Sequence, residues 1–211
     1  MNEAQALYDY APLMQLLLLG AAIALGPLAW VAWRSRGGAR GQRLQALMVL
    51  TLFLTFDLVM FGSFTRLTDS GLGCPDWPGC YGSASPLGAR AEISAAEQAM
   101  PTGPVTHGKA WVEMIHRYLA SSVGVLIIAI TVGVWRQRRQ WQRAGAQGAA
   151  PLHPGWAVAT LVWVCLQGAF GAWTVTMKLF PAIVTLHLIG GLVLLALLCV
   201  MAARQVGTEQ G

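Results

Sequence analysis

The sequence predicts an all-α protein, a polytopic membrane bundle of five transmembrane helices, and three observations carry that expectation. Of the 211 residues 55% are hydrophobic and only 11% are charged, a balance typical of membrane proteins. Five apolar runs, at 13–33, 44–64, 110–135, 156–177 and 183–203, reach the roughly 20 residues that a crossing helix needs. The arginines crowd into alternate connections: Arg34, Arg36, Arg40 and Arg43 in the first, Arg136, Arg138, Arg139 and Arg143 in the third. By the positive-inside rule both are cytoplasmic. The net charge of +5 is therefore a topology signal with a secondary attraction to anionic membrane lipid, and it does not indicate a nucleic-acid partner.

These counts place the N-terminus outside and the C-terminus in the cytoplasm, and the membrane is expected to be a bacterial plasma membrane (the inner membrane). Residues 1–43 read as a transmembrane helix and a basic cytoplasmic link. Residues 44–203 read as a four-helix bundle with an external loop at 65–109, and 204–211 as a cytoplasmic tail. The first run is too long for the apolar region of a cleaved signal. It carries Pro27 and no polar residue that invites chemistry, so it reads as a packing or targeting helix.

The second run contains Asp57, roughly 13 Å below Arg66 on a regular helix. It reads as a hydrogen-bonded carboxyl between helices, the alternative being a step in a proton path. The stretch RLTDSGLGCPDWPGCYG that follows has four glycines and two prolines and cannot continue the helix. Its Cys74 and Cys80 lie outside, where a disulfide can persist; such a ring either staples the loop or serves as a redox pair. Cys165 and Cys199, inside spans, read as small buried hydrophobes. AEISAAEQAM predicts a short surface helix ended by MPTGP. His107 is expected to be exposed.

The chain is organised around the third run, AWVEMIHRYLASSVGVLIIAITVGVW. Ionisable groups at the mouth of a membrane helix are costly and mark function. Glu113, His116 and Ala120 share a helix face, and His187 occupies a matching place in the last run, ahead of Gly190 and Gly191. Both helices run inward, so both imidazoles lie near the outer surface at similar depth. Two facing histidines with small residues beneath them suit a haem. Gly168, Gly171 and Ala172 of the fourth run leave room for a flat ring, with Gln167 a candidate buried hydrogen-bond donor. Arg66, Arg117 and Lys178 sit at the outer rim where propionates would end. Glu113 either forms a structural pair with Arg117 or moves protons and stabilises charge during a reaction.

At these residues the chain resembles the haem A synthase family. The motifs are EMIHRYLA at 113–120, RLTDSGLGCPDWPGC at 66–80, MPTGPVT at 100–106 and GAFGAWTVTMKLFPAIVTLHLIGG at 168–191. The resemblance implies an oxidoreductase that converts the C8 methyl of haem O to a formyl group by two successive oxygenations, in haem A biosynthesis for the respiratory terminal oxidase. It implies Glu113, His116 and His187 as the catalytic site; with the histidines on the haem iron, Arg117 or Arg66, placed at the outer rim, is expected to hold a propionate. It also implies an external Cys74–Cys80 disulfide and transfer of substrate from haem O synthase. Typical members have a second four-helix half with a bis-histidine haem B. This chain resembles the first half with a leading helix added, and its remaining His107 and His153 fall in connections. Electrons are then expected from a separate C-terminal half, from residues past 211 or through a homo-oligomer. The rival readings are a bis-histidine haem b electron carrier without chemistry, and a membrane thiol oxidoreductase using Cys74 and Cys80 with a quinone.

Overall fold

A computed structural model describes residues 10–38, 40–145 and 150–207, and the regular structure in them is helical. The elements are α1 (Ala11–Arg34), α2 (Arg40–Leu67), α3 (Arg90–Ala99), α4 (His107–Arg143), α5 (Pro154–Thr176) and α6 (Pro181–Gly207). Five of them, all but α3, are long and apolar enough to cross a membrane, so the protein is a multi-pass membrane protein.

Local chemistry sets several helix ends. Thr106 caps α4 by accepting the Lys109 N–H at 3.3 Å, and His153 caps α5 through Nδ1, which accepts the Gly155 N–H at 3.1 Å; both satisfy donors that a first turn leaves free. Pro154 and Pro181 open α5 and α6 where no N–H is missed. Between these helices Lys178 and Leu179 take positive φ, and the Leu179 N–H closes the turn on the Thr174 carbonyl at 2.8 Å.

Two helices run past their expected ends. α4 continues to Arg143 and so carries all four arginines of the third connection, while α2 begins at Arg40, inside the expected basic link. Polar, arginine-rich sequence extends a helix into water as readily as it forms a loop. The short helix at 90–99 forms as expected and stops at Met100. Cys165 and Cys199 depart from expectation: both are free thiols on exposed helix faces. In a membrane the outward face is as apolar as the core, so a small thiol is tolerated there.

Helices α2, α4, α5 and α6 form a ring in which each packs against two neighbours, and α4 and α6 stand diagonally across it without touching among the described residues. Outside the ring, α1 lies along α4 and touches α2, burying Leu16, Gly20, Ala24 and Val31. Gly20 makes that approach possible, because a Cβ there would collide with Ser121. The main apolar core fills the arginine end, where Met48, Leu126, Leu198 and Met201 are wholly buried. A second cluster at the other end joins Leu16, the two loop cysteines, Ile93, Met114 and Tyr118.

Candidate functional site

The loop between α2 and α3 is held by two side chains of α4. Cys74 and Cys80 form the disulfide, and both are completely buried. The Cys74 N–H donates to Glu113 Oε2 at 2.7 Å. The other Glu113 oxygen pairs with Arg117, whose Nη1 donates to the carbonyls of Asp76 at 3.1 Å, Pro78 at 3.2 Å and Gly79 at 2.6 Å. Both side chains are more than nine-tenths buried. A buried pair of this kind survives only when its remaining hydrogen-bond capacity is filled, and the loop backbone fills it. Asp76 closes the turn in its turn, accepting from the Tyr81 and Gly82 N–H groups at 2.6 and 2.7 Å. Gly73 meets the backbone of Lys109 so closely that no Cβ fits.

Lys178 donates to the Pro75 carbonyl at 3.0 Å, and Leu179 lies against Gly71, so the α5–α6 turn is tied to the same loop. His107, half-buried instead of exposed, shares a hydrogen bond with Ser94 at 2.9 Å, while its N–H donates to Glu97 at 3.2 Å. Arg66, in the last turn of α2, is exposed and its guanidinium has no partner among the described residues.

The two membrane histidines lie inside this frame, on the diagonal pair α4 and α6. Their depth follows from two contacts of α2. A Cβ at Gly62 would meet His116 Cε1 at 2.9 Å, and one at Gly191 would meet Val59 at 3.3 Å. Since α2 and α6 run antiparallel, four residues from the Val59–Gly191 contact sets His187 beside Ser63, level with His116. His187 also faces a glycine, Gly171 of α5, with Cε1 at 3.5 Å and Nε2 at 3.8 Å from the position of a Cβ. Phe61 stacks on His116 with ring centroids 6.3 Å apart and planes 14° from parallel.

Nδ1 of both His116 and His187 is buried without a hydrogen-bond partner. Buried ring nitrogens are ordinarily satisfied. One turn deeper, Gln167 lies against Gly190, where a Cβ would collide with its amide; its Oε1 is also buried without a partner. The Trp163 indole N–H donates to the Gly190 carbonyl at 2.9 Å. A flat, metal-centred ring suits these residues, since two level imidazoles on diagonal helices each keep a buried Nδ1 without a partner and glycines of α2 and α5 make room for the imidazoles themselves.

The structure thus brings Glu113, Arg117, Cys74 and Cys80 into one buried cluster and sets His116 and His187 level beside it, with Arg66 at the rim. Gly62 and Phe61 are contributors that residue-type reasoning passed over. The signal for Gly62 was available: a lone glycine inside an apolar helix costs about 1 kcal/mol against alanine and asks for a packing reason.

The chain is 40% identical to a haem A synthase of Shewanella oneidensis over 162 residues, 77% of this chain and 46% of that one. It is 26% identical to a haem A synthase of Alkalihalophilus pseudofirmus over 69% of this chain and 41% of the relative. With a haem A synthase of Mesorhizobium japonicum it shares 31% over 67% of this chain and 38% of the relative. The chain therefore spans less than half the length of these relatives. No solved structure matches it. Residues 45–210, which take in the four-helix ring from the second turn of α2 onward and its loop, match the cytochrome oxidase assembly protein family COX15-CtaA, and the chain belongs to that family.

Proposed function

We propose that this chain binds haem O between α4 and α6 and forms the site at which its C8 methyl is oxidised toward the formyl group of haem A. The carrying observation is the level pair of imidazoles across the bundle diagonal, each with an unpartnered Nδ1 and a glycine at its edge. His116 and His187 would hold the iron, and the haem would supply the oxygen chemistry when bound. The family match and the haem A synthase relatives support this choice of substrate.

The chain's own residues then position and insulate. Arg66, exposed and unpaired at the rim, takes a propionate. Arg117 closes the same rim from the loop side; three of its hydrogen bonds go to loop carbonyls, so it acts on a propionate chiefly through the loop it fixes. Glu113, one turn from His116, holds a carboxylate beside the ring and favours positive charge developing on the substrate. The Cys74–Cys80 disulfide keeps that carboxylate in place, since Cys74 is its hydrogen-bond donor. We place the loop on the outer side of the plasma membrane and the arginine end in the cytoplasm. Haem O synthase as donor of the substrate, and a haem B domain as the source of electrons, belong to the same proposal.

An absorption spectrum of the detergent-purified protein tests it. Bound haem is expected in the parent and absent from both His116→Ala and His187→Ala; retention in both overturns the assignment. The reading as a plain haem b electron carrier requires Glu113→Gln to leave haem O turnover unaffected, whereas here haem stays bound and turnover falls at least tenfold. Against a thiol oxidoreductase stands the complete burial of both sulfurs, which denies an attacking thiolate access.

A further inference from the structure

Gln167 shares with the two histidines a hydrogen-bonding capacity that the protein leaves unfilled. The residue is only 7% exposed, and its Oε1 is buried without a partner among the described residues, as is Nδ1 of His116 and of His187. Two contacts between α5 and α6 fix its position. His187 lies over Gly171, and the amide of Gln167, four residues earlier on the same face of α5, lies where Gly190 would carry a Cβ. Because α5 and α6 are antiparallel neighbours, both contacts set Gln167 one turn, roughly 5.4 Å, from His187 toward the arginine end. The Gly190 carbonyl beside it already accepts the Trp163 indole N–H at 2.9 Å. Inside a bilayer no water is at hand to complete an amide, and a buried amide left incomplete is costly.

We infer that Gln167 is a positioning residue whose amide hydrogen-bonds the alcohol of haem O and so selects which methyl group is presented for oxidation. The inference rests on the haem reading above and deepens it. Haem O is haem B with one vinyl group, at C2, replaced by a hydroxyalkyl chain, and apart from the propionates that hydroxyl is its one hydrogen-bonding substituent. C2 lies on the edge away from the propionates. With a propionate at the rim beside Arg66, this edge points toward the arginine end, the direction in which Gln167 is displaced from His187. An amide and an alcohol each give and accept a hydrogen bond, so the pair closes whichever way the amide is turned. The consequence is regiochemical. A ring held by both histidines stands across the line from α4 to α6, with one flank toward α2 and the other toward α5. Turning the ring over keeps the propionates at the rim, exchanges the C8 and C5 methyl groups, and carries the hydroxyl from one flank to the other. Gln167 is on α5, so a hydrogen bond there holds one of the two seatings and one of the two methyl groups.

The test titrates the purified full chain with haem O and, separately, with haem B, followed by absorption, and compares the parent with Gln167→Met, which keeps the size and loses the amide. Gln167→Met should weaken haem O binding about tenfold. It should leave haem B within about twofold, since haem B gives the amide no partner in either protein. Gly190→Ala, whose methyl displaces the amide, should reproduce that pattern, and Gln167→Glu, which keeps an acceptor for the hydroxyl, should retain the parent's preference for haem O. Proton NMR of the ferric haem O complex is expected to show one set of ring-methyl resonances in the parent and two in Gln167→Met. Helical circular dichroism and the intact Cys74–Cys80 disulfide report folding in each variant. Equal weakening of both haems, unchanged haem O affinity, or a single set of methyl resonances in Gln167→Met would each overturn the inference. Failure of the underlying site reads differently: a parent that binds neither haem overturns both proposals, whereas a parent that binds haem O through His116 and His187 and is indifferent to Gln167→Met overturns this one alone.

Discussion

At the arginine end of the bundle Met48, Leu126, Ile130, Leu198 and Met201 close on one another with at most 1% of each exposed, whereas at the loop end no residue of α6 before Gly190 is buried. The first region is packed as a helix bundle packs when nothing else is asked of it. In the second, glycines replace large side chains at the helix contacts, ring nitrogens are left without partners, and order comes from a polar cluster and a disulfide instead of apolar filling. A bundle that keeps space for a large ligand gives up packing there and needs another source of rigidity. The Glu113–Arg117 pair, holding the loop by one backbone N–H and three carbonyls, is that source.

The contrast can be broken at either end. The largest effect is expected at Glu113→Ala, which strands the buried Arg117 guanidinium; about 3 kcal/mol or more should be lost, with a raised rate of proteolysis in the 68–89 loop as its local readout. At the packed end Leu198→Ala should cost about 2 kcal/mol, near the bottom of the range for core truncations, because lipid is as apolar as the core and mainly the cavity is felt. Unfolding followed by circular dichroism would register it, and haem content should not change. Removing the disulfide with Cys74→Ser and Cys80→Ser together should cost about 2 kcal/mol for so short a ring, and should loosen haem binding as the Glu113 contact is lost. The smallest change in stability, within about 1 kcal/mol, is expected for Gly62→Ala. Its methyl would stand 2.9 Å from His116, so haem affinity or the absorption maximum should shift all the same. A Gly62→Ala protein with parent-like haem properties would mean that the His116 contact is slack and the contrast between the two ends overstated.

Much of this was legible before any coordinates. The five spans appear within a few residues of the apolar runs, and only their polar extensions, such as α4 to Arg143, escaped, because hydropathy marks where a helix is apolar and not where it stops. Glu113, His116 and His187 stood out as ionisable groups in apolar surroundings. The environment of Asp57 was not legible: a carboxyl expected between helices faces outward, and periodicity along one helix does not say which neighbour covers which face. Gly62 escaped for a related reason, since its use depends on a histidine more than fifty residues away.

The sequence by itself determined the number of crossing helices, their alternating direction and the chemical types gathered near one end, because these follow from apolar length, charge placement and helix period. Only the tertiary structure decided that α4 and α6 lie across the diagonal with their histidines level, and that Glu113 and Arg117 grip the loop backbone. Both depend on which helix packs beside which. That choice is made by close contacts such as Gly62 with His116 and Gly191 with Val59, between residues distant in the chain.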